Sequence, residues 1–130
     1  MIKISVITAV YNNRETISAA LDSALRQSGV DIDLVVIDGG STDGTLEVLR
    51  SYTGRLDVLV SEPDRGIYDA LNKGIQRASG EVVGFLHSDD LFGDPGVLSR
   101  IAAAFADPDV GAVYGNLLYV RRDDPQQVVR

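Results

Sequence analysis

Ile2-Lys3-Ile4-Ser5-Val6-Ile7-Thr8-Ala9-Val10-Tyr11-Asn12-Asn13 is a mostly apolar run that breaks into polar residues at Tyr11. A run of this kind suits a strand buried inside a sheet. It has no small-residue cleavage site after it, so it reads as a strand and not as a signal peptide. Further runs suited to buried strands occur at Leu34–Ile37, Leu56–Val60, Val82–Leu86 and Ala112–Val120.

Helical patterns lie between these runs. The first spans Glu15–Gln27, with Ile17, Ala20, Leu21, Ala24 and Leu25 on one face and Gly29 as its stop. A short one follows at Thr45–Ser51, a third at Ile67–Ala78 ending at Gly80, and a fourth at Val97–Ala106 ending before Pro108. Strands alternating with helices imply right-handed crossovers. The expected fold is α/β: a Rossmann-like, mainly parallel sheet with helices on both faces. Residues 1–120 are expected to form one such domain and Arg121–Arg130 a polar tail.

The chain has 130 residues, enough for one core that buries roughly two-thirds of the unfolded surface. Its 12 Lys and Arg face 19 Asp and Glu, a net charge of -7 that disfavours nucleic acid as a partner. An acidic chain still binds a diphosphate when a cation supplies the missing positive charge. There are no cysteines, which excludes disulfides and thiolate metal sites and suits the cytoplasm. No apolar run approaches the ~18 residues of a membrane span.

Ligands of open parallel sheets sit outside the carboxyl ends of the strands. Four expected strand exits are polar: Tyr11-Asn12-Asn13, Asp38-Gly39-Gly40-Ser41-Thr42-Asp43-Gly44-Thr45, Glu62-Pro63-Asp64-Arg65-Gly66 and His87-Ser88-Asp89-Asp90. The opposite connections, such as Ser28–Asp31, Thr53-Gly54-Arg55 and Ser79-Gly80-Glu81, read as simple turns. That asymmetry places a candidate site at the carboxyl edge.

Each polar residue there has a functional and a plain reading. Asp38 either faces a pocket and accepts hydrogen bonds from a base or sugar, or closes an Asx-turn. Asp43 reads as a helix N-cap. Asp89 and Asp90 follow an apolar strand directly, and like charges so placed favour a hard cation such as Mg²⁺ or Mn²⁺; otherwise they belong to a solvated turn. His87 shares the direction of Asp89 if strand geometry persists, for a ribose or metal contact, or is a structural histidine. Arg65 contacts a diphosphate or forms an ion pair with Glu62 or Asp64.

Taken together, Ser5–Asn12, Asp38–Thr45, Gly66-Ile67-Tyr68-Asp69-Ala70-Leu71-Asn72-Lys73-Gly74 and Phe85–Asp90 resemble glycosyltransferase family 2, enzymes of the GT-A fold. The stretch Glu62–Ile75 is similar to bacterial enzymes that build surface polysaccharides. The resemblance implies a nucleotide-sugar donor, a UDP-sugar first of all, with Thr8, Ala9 and Tyr11 bordering the nucleotide and Asp38 on the base. Arg65 and His87-Ser88 would lie near the donor, and Asp89 would hold the divalent cation, with Asp90 as a further candidate ligand. His87 stands where the family usually carries the first Asp of Asp-x-Asp. The implied reaction is inverting transfer to a hydroxyl of a carbohydrate or lipid-linked carbohydrate; the expected location is cytoplasmic, at the inner face of a membrane only if segments outside this chain attach it there. The family's acceptor segment and general base would fall beyond Arg130, so no catalytic base is named and the chain is expected to bind donor but transfer poorly. Two rivals are a nucleotidyltransferase, for which Tyr11-Asn12-Asn13-Arg14 is a poor triphosphate loop, and a non-catalytic nucleotide-binding module.

Overall fold

The computed structural model describes residues 2–113 and the backbone of two short strands, Tyr119–Val120 and Val128–Val129. The elements are β1 (Lys3–Val10), α1 (Ile17–Leu25), β2 (Asp31–Asp38), α2 (Thr45–Arg50), β3 (Val58–Ser61), α3 (Ile67–Arg77), β4 (Val82–Phe85) and α4 (Val97–Ala104), then β5 (Tyr119–Val120) and β6 (Val128–Val129). The main sheet has the order β3-β2-β1-β4 and is parallel throughout. Helices cover both of its faces, so the α/β architecture is the one expected.

Side-chain alternation along β1 divides the core. Ile4, Val6 and Val10 join Leu34 and Val36 of β2 under α1, α2 and α4, where Ile17, Leu21, Leu49 and Leu98 are buried. Ile7 and Ala9 face the other way with Val35, Ile37 and Val60, covered by Ala70 of α3. A Cβ on Gly74 would collide with the Ile7 methyl Cγ2, so glycine lets α3 lie close against the sheet. The strand order reverses at β1: the chain runs outward to β3, then α3 carries it back to β4 on the other side. Crevices form at such switch points.

Several boundaries differ from expectation, each for a local reason. β2 begins at Asp31, before Leu34, because its polar Asp33 is satisfied inside the sheet: Oδ2 accepts from Ser5 Oγ at 2.7 Å and from the Ser79 N–H at 2.8 Å. Burial pushes the Asp33 carboxyl up, but these hydrogen bonds and nearby Lys3 outweigh it and hold it below the ordinary range. β3 begins at Val58 because Asp57 turns its carboxylate back to the Leu34 N–H at 2.7 Å. α1 is shorter at both ends than Glu15–Gln27; the Asn13 carbonyl accepts from Thr16 and Ile17, and the Gln27 side chain bonds elsewhere.

α4 ends at Ala104, short of Ala106, and β4 at Phe85, short of Leu86. Of the expected last strand, Ala112 and Val113 are not in a strand and residues 114–118 lie outside the described residues. β5, at the end of the expected last strand, pairs antiparallel with β6, which falls inside the segment expected to be a polar tail, and the two form a sheet separate from the main one. Among the described residues no helix is long and apolar enough to cross a membrane.

Candidate functional site

Asp38 is the last residue of β2, in register with Val10 of β1 and Ser61 of β3, and is fully buried. Its Oδ2 accepts from the Ser41 N–H at 3.1 Å and from Ser61 Oγ at 2.8 Å, and its Oδ1 accepts from Ser41 Oγ. The Ser41 N–H lies three residues on, one beyond the reach of an Asx-turn, so Asp38 ties down the loop after β2 without forming that turn. An ionised carboxylate offers about four acceptor sites, so one remains, on Oδ1.

Ser41 passes the order on to the β1 exit. Its Oγ accepts from the Asn12 N–H at 2.8 Å, and Asn12 Oδ1 accepts from the Thr42 N–H at 2.7 Å. Asn12 has φ 48°, a left-handed conformation that Asn tolerates better than most residues. Its neighbour Asn13 bonds Thr45 Oγ1 through its N–H at 3.0 Å and Ser88 Oγ through Nδ2 at 2.8 Å. The Ser88 carbonyl accepts from Thr16 Oγ1 at 2.9 Å. The exits of β1, β2 and β4 are thus one hydrogen-bonded unit, built around the switch point.

Asp43 is not the N-cap of α2; Gly44, at φ 101°, takes that position. Asp43 Oδ1 instead accepts from the Thr45 N–H at 3.0 Å and from Thr45 Oγ1, while Oδ2 accepts from the Arg14 N–H at 3.3 Å. The Thr45 hydroxyl is the main reason its carboxyl lies below the usual range. An open depression of about 490 Å³ is lined here by Asn12, Asn13, Arg14, Glu15 and Asp43. A second, of about 470 Å³, is mostly apolar, lies between β4 and α4, and is lined by none of the candidate residues.

The β3 exit leans on the β2 exit. A Cβ on Gly39 would stand 2.8 Å from Asp64 Oδ2, so a larger residue there would have to displace that carboxylate. Glu62 pairs with Lys73 at 3.2 Å rather than with Arg65, and Lys73 also reaches Asp69 at 3.8 Å. Asp69 accepts from the Arg65 N–H at 2.9 Å, the main cause of its lowered carboxyl pKa. The Arg65 side chain is exposed.

The remaining candidates fall into two groups. Tyr11 is 62% exposed at the mouth, whereas Thr8 and Ala9 are buried in β1, and Thr8 Oγ1 has no hydrogen-bond partner among the described residues. His87, Asp89 and Asp90 are exposed. Strand geometry stops at Phe85, and the Asp90 N–H donates to the His87 carbonyl at 3.0 Å, so a turn replaces the alternation that would align His87 with Asp89. Among the described residues no three His, Cys, Asp or Glu side chains converge on one point. The donor set on this turn is two adjacent, solvent-facing carboxylates, hard oxygen ligands that fit Mg²⁺ or Mn²⁺ once phosphate oxygens and water fill the other positions.

Asn12, Asn13, Thr16, Ser41 and Thr45 are the residues that sequence reading passed over. Their polar clustering at strand exits was visible, but their partners lie 29 to 75 residues away.

The chain matches the family model described as glycosyl transferase family 2 over residues 5–129. It is 35% identical over 118 residues to a PGL/p-HBAD biosynthesis glycosyltransferase of Mycobacterium bovis, covering 88% of this chain and 46% of that protein. Its fold superposes on the mannosyltransferase PcManGT of Pyrobaculum calidifontis, solved with GDP-Man and Mn²⁺, with a TM-score of 0.77 and 33% identity over 83% of this chain and 33% of the other. S. aureus TarS 1-349 in complex with UDP-GlcNAc gives a TM-score of 0.70 and 32% identity over 82% of this chain and 31% of the other. The chain spans less than half the length of these proteins.

Proposed function

Because the chain belongs to glycosyl transferase family 2, we propose that its sheet edge binds a nucleotide diphosphate sugar, a UDP-sugar first of all, for inverting transfer to an acceptor hydroxyl. The observation that carries this reading is the bonded unit of the β1, β2 and β4 exits at the switch point, with the Asp89-Asp90 carboxylates beside it. The Mn²⁺, GDP-Man and UDP-GlcNAc bound by its structural relatives support the ligand class.

Asp89 would hold a divalent cation, Mn²⁺ or Mg²⁺, with Asp90 beside it. When bound, the cation supplies Lewis-acid stabilisation of the leaving diphosphate. The chain's own residues do the rest. Tyr11 offers an exposed ring at the mouth for a base to lie against, with Thr8 and Ala9, buried in β1, bordering the nucleotide. Asp38 uses its remaining Oδ1 site for a base N–H, which becomes reachable when the Ser41 hydroxyl turns away. Arg65, His87 and Ser88 flank the sugar and diphosphate, and the exposed guanidinium of Arg65 offsets part of the phosphate charge. The acceptor is a carbohydrate or lipid-linked carbohydrate, and the cysteine-free composition suits a cytoplasmic reaction.

Calorimetric titration of UDP, GDP and a panel of their sugar conjugates in Mn²⁺ tests the reading, with mass spectrometry for transfer to sugar acceptors. Saturable binding of a uridine nucleotide above the other bases is expected. No binding of any nucleotide would refute the proposal.

A further inference from the structure

Polar side chains on α1 and on the residues just before and after it reach repeatedly to the connection that follows β4. Asn13 and Thr16 hold Ser88 by side chain and carbonyl. Ser23 Oγ accepts from the Phe92 N–H at 3.0 Å. Gln27 accepts from the Leu98 N–H at 2.9 Å and donates to the Asp94 carbonyl at 2.7 Å. Ser23 is on α1, Thr16 is at its N-cap and Gln27 lies just past its C-cap, seven and four residues apart in sequence.

Ser23 and Gln27 are buried beside the apolar core, where an apolar side chain would avoid the desolvation cost of a polar one. What these polar contacts add is a fixed path for the backbone from Ser88 to Leu98. Asp89 and Asp90 lie between its first two anchors, and both are exposed.

We infer that α1 is a splint for the Asp89-Asp90 turn. Asn13 and Thr16 fix its start and Ser23 fixes its end, so the two carboxylates are in place before cation and diphosphate arrive and little ordering remains to be done on binding. This rests on the reading of Asp89 and Asp90 as cation ligands. Asn13, Thr16 and Ser23 are positioning residues, acting through the turn.

The test compares UDP affinity in Mn²⁺ and in chelator, by calorimetry, for wild type, the Asn13→Ala/Thr16→Val pair, Ser23→Ala and Thr16→Ser. Loss of each bond should lower the ratio of the two affinities about threefold to tenfold. In Ser23→Ala, whose side chain lies outside the proposed donor site, affinity in chelator should stay within about twofold of wild type, and Thr16→Ser, which keeps the hydroxyl, should retain the ratio. An unchanged ratio in the pair and in Ser23→Ala overturns the splint while leaving the cation site standing. A parallel fall of both affinities in Ser23→Ala also overturns it, since that is what a merely structural role produces. A wild type with no gain from Mn²⁺ removes the cation reading itself, and the splint with it.

Discussion

Replacing Asp38 by alanine removes the acceptor of three hydrogen bonds at the end of β2: the Ser41 N–H, Ser41 Oγ and Ser61 Oγ. Hydrogen bonds to a charged acceptor are each worth about 1.5–3 kcal/mol. Ser61 is exposed and Ser41 partly so, and water recovers much of that loss. The net cost of Asp38→Ala is then about 2–4 kcal/mol. Asp38→Asn keeps one oxygen for the Ser41 N–H and Ser61 hydroxyl and turns its amide toward Ser41 Oγ, which can reverse and accept; its cost falls to about 1 kcal/mol. At this chain length 1 kcal/mol moves Tm by about 4 °C, so the two variants should unfold roughly 8–16 °C and about 4 °C below wild type. Thermal unfolding followed by circular dichroism at pH 7 measures both. An Asp38→Ala protein that melts within about 2 °C of wild type would refute the account of Asp38 as the anchor of the β2 exit.

Other expectations follow from the same contacts. The Asp33 carboxyl is depressed in the fold, so the stability it contributes is present at neutral pH and is lost as pH falls from its unfolded value through its lower folded one; Ser5→Ala should flatten that acid limb in unfolding curves taken from pH 6 downward, and an unchanged limb would count against it. Gly80→Ala would put a Cβ 2.6 Å from the Ser5 backbone nitrogen and 2.9 Å from the Lys3 carbonyl, so it should cost about 1–3 kcal/mol in urea unfolding, against none if the turn simply shifts. Gly74→Ala should cost a similar ~1–3 kcal/mol because its methyl meets Ile7 Cγ2, and the paired change with Ile7→Ala, which removes that methyl, should cost less than the sum of the two single changes in the same assay.

The sheet and its carboxyl edge were legible because both depend on local pattern: apolar runs, helical spacing, and polar residues gathered at one end of every strand. Asp33 shows the limit of that reading. A carboxylate argues against a buried strand until its partners Ser5 and Ser79 are known, and these are brought in by β1 and by the turn before β4. Asp43 had the right chemistry for a cap but was misplaced by one residue, because the positive φ of Gly44 decides where α2 begins. His87 and Asp89 would share a direction only if strand geometry persisted past Leu86, and β4 ends at Phe85. The bonds from Asn12 and Asn13 to Ser41, Thr42, Thr45 and Ser88 could not be read along the chain, since each joins loops that meet only when the parallel strands are in register.

The central claim is that Asp89 at the mouth of β4 binds a nucleotide diphosphate through a divalent cation. Titration of UDP into wild type and Asp89→Asn, each in Mn²⁺ and in chelator, tests it most directly. The turn is exposed and the Asp89 side chain holds up nothing else among the described residues, so both proteins should fold alike. Wild type should bind UDP more tightly in Mn²⁺ than in chelator, and Asp89→Asn should lose most of that gain while its affinity in chelator matches wild type. Equal UDP affinity of wild type with and without metal, or a full metal-dependent gain retained by Asp89→Asn, would contradict the account.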